Sequence, residues 1–117
     1  MERGGQTPEE LEMLLEDAAL LRDAAGVAEL FDVGAVLVAG RVAAPRRGRE
    51  QIRAGAHLLW DGEPGYVAAP RRAFECGDVA LLLGKDGHDV VNVLRRGPDR
   101  TWRFAISVLH LAGPARP

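Results

Sequence analysis

Asp89-Val-Val-Asn-Val-Leu-Arg-Arg-Gly-Pro-Asp-Arg-Thr-Trp-Arg-Phe-Ala-Ile-Ser-Val-Leu-His110 is the stretch that decides the fold. Two runs rich in β-branched, aliphatic and aromatic residues flank a Gly-Pro-Asp turn, which predicts two antiparallel strands, 90–96 and 101–111, joined as a hairpin. A single amide, Asn92, interrupts the first strand. Strand alternation puts Val90 and Leu94 on the face of Asn92, so a lone polar group among aliphatics points to a sheet face that lines a ligand pocket. The facing of the last strand turns on the loop. If 97–100 is a four-residue loop, Asn92 lies across from Ala105 and Ser107 shares its face. An odd loop turns Phe104, Ile106 and His110 inward instead. A one-residue slip thus chooses between Ser107 and His110. Ser107 is taken as the lining residue, with His110 as the titrating group near the pocket mouth.

Upstream of the hairpin the pattern gives two more strands, 66–76 and 79–84, with turns at 77–78 and 85–88. Pro70 marks an edge or a bulge in the first of them. Tyr66 opens that strand, and its hydroxyl could face a cavity or solvent. Before the strands come helices. Thr7-Pro-Glu-Glu10 reads as a capped helix start, with Thr7 as cap, Pro8 at the first position and Glu10 completing a capping box. Leu11, Leu14, Leu15, Ala18 and Leu21 form its apolar stripe, Glu9, Glu12 and Glu16 lie off it, and Gly26 is its expected C-cap. A short helix over 27–31, a short strand over 35–38 and a polar loop over 40–49 follow. A third helix over 48–60 buries Ile52, Ala56 and Leu59, is weakened by Gly55, and carries Trp60 as pocket wall and His57 on its surface. Helices gathered before strands predict an α+β domain, three N-terminal helices packed on a strongly curved antiparallel sheet. It spans 7–112, with tails at 1–6 and 113–117.

Composition narrows the function classes. The chain has 117 residues, 47% of them hydrophobic, enough for one globular domain. A formal net charge of −2 argues against a nucleic-acid partner. No apolar run approaches the roughly 20 residues of a membrane span, so no membrane partner and a cytoplasmic location are expected. Cys76 stands alone, and the histidines at 57, 88 and 110 show no ligand spacing, so no metal site is expected.

The order of elements and several local pieces resemble the nuclear transport factor 2-like superfamily. They are most similar to the small bacterial proteins grouped with SnoaL-like polyketide cyclases and the domain of unknown function 4440. The pieces are Thr7-Pro-Glu-Glu10, Ala28-Glu-Leu-Phe-Asp32 before Ala35-Val-Leu-Val38, Gly48-Arg-Glu-Gln-Ile-Arg53, Gly77-Asp-Val-Ala-Leu-Leu82, and Val93 to Arg103 across the hairpin. The resemblance implies a cone-shaped barrel with an apolar pocket at its wide end, no cofactor, and a homodimer formed through the outer sheet face. It also implies a small apolar, carbonyl-bearing ligand, handled either by a binding protein or by isomerase, cyclase or hydrolase-like acid–base chemistry without metal. The scaffold hosts all of these, so fold alone does not choose. The base of ketosteroid isomerases aligns near Ala39, which cannot carry a proton, and one of their oxyanion donors aligns with Asn92. Relatives often carry Asp where Ser107 stands. Catalytic candidates are therefore His110 and Asn92, and ligand-lining candidates are Asn92, Ser107, Tyr66, Trp60, Leu94 and Val90. The alternative is a non-catalytic dimeric module with a vestigial pocket.

Overall fold

The structure, a computed structural model, describes residues 4–39, 44–61, 66, 68, 72–84 and 90–109. Helix α1 (Pro8–Leu20) begins as its sequence dictates: Thr7 Oγ1 accepts from the Glu10 amide at 3.0 Å, and Glu10 Oε1 accepts from the Gln6 amide at 2.8 Å. It stops at Leu20, not at Gly26, because Arg22 takes a left-handed conformation (φ 52°) and turns the chain. Gly26 instead lies inside α2 (Ala24–Glu29), where its amide donates to Asp23 Oδ1 at 2.9 Å. The buried arc of α1 is Pro8, Leu11, Glu12, Leu15, Ala18 and Ala19. It is rotated from the expected stripe, leaving Leu21 exposed and drawing Glu12 inward.

Strand β1 (Phe31–Ala39) is longer than expected and is followed by the two-residue β2 (Arg46–Arg47). Helix α3 (Gly48–Gly55) ends at its glycine, and Ala56–Leu59 tightens into a 3-10 turn with Trp60 as its cap. A side chain at position 55 would meet Arg46 at 3.0 Å, so glycine lets that arginine pack there while weakening the helix. The remaining strands are β3 (Arg72–Cys76), β4 (Val79–Leu83), β5 (Val90–Arg96) and β6 (Trp102–Leu109). Tyr66 stands apart from β3, contrary to the expectation that it opens that strand. The expected features at Pro70 and at 85–88 fall outside the described residues, as does His110.

The strands form one sheet in the order β2-β1-β6-β5-β4-β3, on which the helices pack. It is curved and not closed. It is also mixed rather than wholly antiparallel: β3 to β6 form a meander, which returns β6 beside β1 in the same direction. Pairings run straight across the sheet and define its helix-facing side as three rows. These are Val90–Leu109–Ala39, Leu82–Asn92–Ser107–Leu37, and Ala80–Leu94–Phe104–Phe31. All eleven side chains are buried, and the Phe31 and Phe104 rings meet at 5.1 Å.

The register of β6 explains why both loop alternatives were half right. Arg96 pairs with Trp102, leaving an odd loop at 97–101 that turns Phe104 inward. Asp99 holds this turn by accepting from the Thr101 amide and hydroxyl and from Arg103. A bulge at Ala105 then shifts the phase, because Leu94 pairs with Phe104 but Val93 pairs with Ile106. Ile106 therefore faces outward and Ser107 inward, directly opposite Asn92.

Candidate functional site: a buried amide with an open donor

The middle row holds the only polar pair of the three rows. Asn92 and Ser107 are both fully buried, flanked by Leu82 on one side and Leu37 on the other, with Val90, Leu94, Leu109 and Phe104 in the adjacent rows. Ser107 Oγ donates to Asn92 Oδ1 at 2.6 Å. That distance is ordinary for an O–H···O bond. Among the described residues Asn92 Nδ2 has no hydrogen-bond partner, although it is buried. The residues around it on the sheet are apolar, and a buried donor left unmade costs on the order of 1–3 kcal/mol. The geometry thus presents a fixed, desolvated amide donor, which suits an oxygen acceptor on an otherwise apolar molecule.

A second buried polar group lies on α1. Glu12 is 4% exposed, and its Oε2 accepts from the Tyr66 hydroxyl at 2.9 Å. One turn on, Glu16 Oε2 accepts from the Ala68 amide at 3.0 Å, and the Tyr66 amide donates to Leu59 O at 2.8 Å. Two carboxylates at i and i+4 therefore tie the chain around 66–68 to α1, and Tyr66 joins the same apolar core as Leu82 and Val90. The open question of the Tyr66 hydroxyl resolves inward, onto a carboxylate. Sequence reasoning placed Glu12 off the stripe and missed it. The available signal was its helical neighbourhood, since Pro8, Leu11, Leu15 and Ala19 surround it at i−4, i−1, i+3 and i+7.

Of the expected lining residues, Asn92, Ser107, Val90 and Leu94 share the helix-facing side of the sheet. Tyr66 is in the same core, and Trp60 packs half-buried against it. His57 is exposed, with its Nδ1 2.7 Å from Asp61 Oδ2. Ala39 is buried at the end of the upper row, beside Leu109. A surface groove of about 300 Å³ lies on the opposite side of the sheet, lined by Asp32, Gly34, Ala35, Val36, Val93, Arg95, Ala105 and Ile106. It is separate from the Asn92 site.

Solved structures with this arrangement are numerous. An NTF2-like protein with a cystatin-like fold from Novosphingobium aromaticivorans superposes with a TM-score of 0.63 at 20% identity, covering 92% of this chain and 80% of that one. The chain has the nuclear transport factor 2-like fold. A ketosteroid isomerase-like protein from Erwinia carotovora atroseptica matches with a TM-score of 0.57 at 13% identity, over 84% of this chain and 88% of that one. ActVI-ORFA from Streptomyces coelicolor matches with a TM-score of 0.58 at 16% identity, over 84% and 89%. No protein-family model matches the sequence, and no curated protein sequence does. At these identities the likeness establishes the fold, and the site must speak for the function. Among the described residues no helix is long and apolar enough to cross a membrane.

Proposed function

We propose that this NTF2-like protein binds a small apolar molecule bearing a carbonyl oxygen on the helix-facing side of its sheet. Asn92 Nδ2 donates to that oxygen, and Ser107 holds the amide in the donating orientation. The single observation that supports this is the fully buried Nδ2, without a partner among the described residues, of an amide whose oxygen is already engaged. Val90, Leu94, Leu82 and Phe104 supply the apolar surroundings, with Trp60 and Tyr66 toward the helices. The name of one structural neighbour, a ketosteroid isomerase-like protein, is in keeping with a ligand of this kind.

A second reading adds turnover, as in isomerases and cyclases. It draws on Glu12, a buried carboxylate hydrogen-bonded to a phenol, as the acid–base group that Ala39 cannot be. His110 is the other candidate for proton transfer.

The outer side of the sheet supports a homodimer. Phe74, Leu81, Val93, Ile106 and Val36 form one unbroken apolar row across five strands. Phe74 and Ile106 are 48% and 44% exposed, and monomeric surfaces seldom leave such a row uncovered.

Binding is tested by thermal shift with a panel of cyclic ketones, each paired with its parent hydrocarbon. The wild type is stabilised by ketones more than by hydrocarbons. The double variant Asn92→Leu, Ser107→Ala loses that preference while keeping its fold. Equal shifts for ketone and hydrocarbon in the wild type would refute the carbonyl role.

A further inference from the structure

The outer face carries a protrusion and a hollow on the same row. Phe74, on edge strand β3, is the exposed aromatic among the described residues. The Arg72 guanidinium stacks over it, 5.3 Å from the ring centroid. At the other end of the row, Val36, Ile106 and Val93 form part of the groove of about 300 Å³. The groove exists because two irregularities coincide there. Residues 32–35 of β1 sit against Ala105 alone in β6, and the β5–β6 ladder slips at the same bulge. A side chain at Gly34 would meet nothing within 4 Å, so the groove is open at that edge.

Val93 is the midpoint of the row. Phe74 lies two strands to one side of it and Val36 two strands to the other. A twofold axis running along β5 therefore places the β3 of one copy over the β1 of the other, at the same level of the sheet. We infer that Phe74 of each copy seats in the Asp32–Ile106 groove of the other, and that this reciprocal interlock sets the symmetry of the dimer. The inference rests on the sheet-face dimer proposed above.

Three features favour a second copy as the occupant. The same surface supplies both the knob and the hole, which a closed twofold interface requires. Charge is compatible: Arg72 travels with the Phe74 ring, and the groove that receives it is lined by the Asp32 carboxylate as well as by Arg95, 3.5 Å from it. The area suffices. Five strands about 4.8 Å apart and roughly six residues long make a face of about 24 by 20 Å, or ~480 Å² in projection. Two such faces bring roughly 960 Å² together in projection, and more as accessible surface, reaching the ~1,000 Å² expected of a specific interface.

Cross-linking tests the interlock directly. Phe74→Cys and Gly34→Cys are combined in a Cys76→Ser background, oxidised briefly and mapped by mass spectrometry. Within one chain these positions are four strand spacings apart, about 19 Å, beyond the reach of a disulfide. A disulfide between positions 34 and 74 thus joins two copies. The expected result is a covalent dimer through that bond. In sedimentation equilibrium, Phe74→Ser is expected to weaken the wild-type dimer at least tenfold, against less than threefold for Leu20→Ser at an exposed leucine of α1, off the sheet face. A wild-type dimer that forms no 34–74 bond and is indifferent to Phe74→Ser overturns the interlock and leaves the sheet-face dimer standing. A wild type that stays monomeric at high micromolar concentration overturns both.

Discussion

The two sides of one sheet make opposite use of neighbouring residues. Facing the helices, Leu82, Leu94, Phe104 and Leu37 are fully buried around a single polar pair, Asn92 and Ser107. Facing outward, their sequence neighbours Leu81, Val93, Ile106 and Val36 continue an unbroken apolar row that ends on exposed Phe74. A polar group is costly in the first setting and cheap in the second, yet the polar pair occupies the costly one. The apolar residues, conversely, crowd a surface where they contribute little to a lone chain. Each side departs from what folding alone favours, and the two proposed binding events, a small acceptor inside and a second copy outside, would each account for one departure.

Substitutions at adjacent positions measure how far the two sides differ. Leu94→Ala empties a fully buried site and should cost about 2–5 kcal/mol in chemical denaturation. Val93→Ala, one residue away and half-buried, should cost well under half of that. Equal losses would mean that the outer row already packs as core. Ser107→Ala should come next, at about 1–3 kcal/mol, because it leaves both ends of the buried amide without partners. The double variant Asn92→Leu, Ser107→Ala should recover most of that loss, since it removes the polar pair altogether.

A smaller effect belongs to the hairpin that sets the register. Asp99 is held well below its ordinary value of 3.8, first by the Arg103 guanidinium and then by the Thr101 amide and hydroxyl. A depressed carboxyl stabilises the folded chain fully above its unfolded value and progressively less as pH falls toward its folded one. Asp99→Asn should therefore lower the melting temperature at pH 7, and its gap to the wild type should narrow below about pH 4. The smallest change should come from Ile106→Ser, expected within about 0.5 kcal/mol of the wild type in monomer stability, with its effect seen in sedimentation instead.

Much of this was written in the sequence. The capping box at Thr7–Glu10, the hairpin around Pro98 and the lone amide at Asn92 all follow from local chemistry. The facing of Ser107 did not, because it depends on a bulge at Ala105, and a bulge leaves no mark in the hydrophobic alternation. The parallel pairing of β1 with β6 was hidden for a similar reason, since nothing local to either strand names a partner some 70 residues away. Glu12 was hidden by a one-position rotation of α1, which exchanged Leu21 for a carboxylate in the buried arc. Its burial makes sense only once the Tyr66 hydroxyl is known to meet it, 54 residues on.

The central claim concerns one side-chain amide, and that amide can be observed. In a nitrogen–proton correlation spectrum, the Asn92 side-chain resonance is assigned by its loss in Asn92→Leu. On titration with the tightest-binding cyclic ketone of the panel, it should shift downfield and saturate with the ligand, while the parent hydrocarbon should leave its proton shift nearly unchanged. A ketone that saturates the protein without moving that resonance would contradict the account.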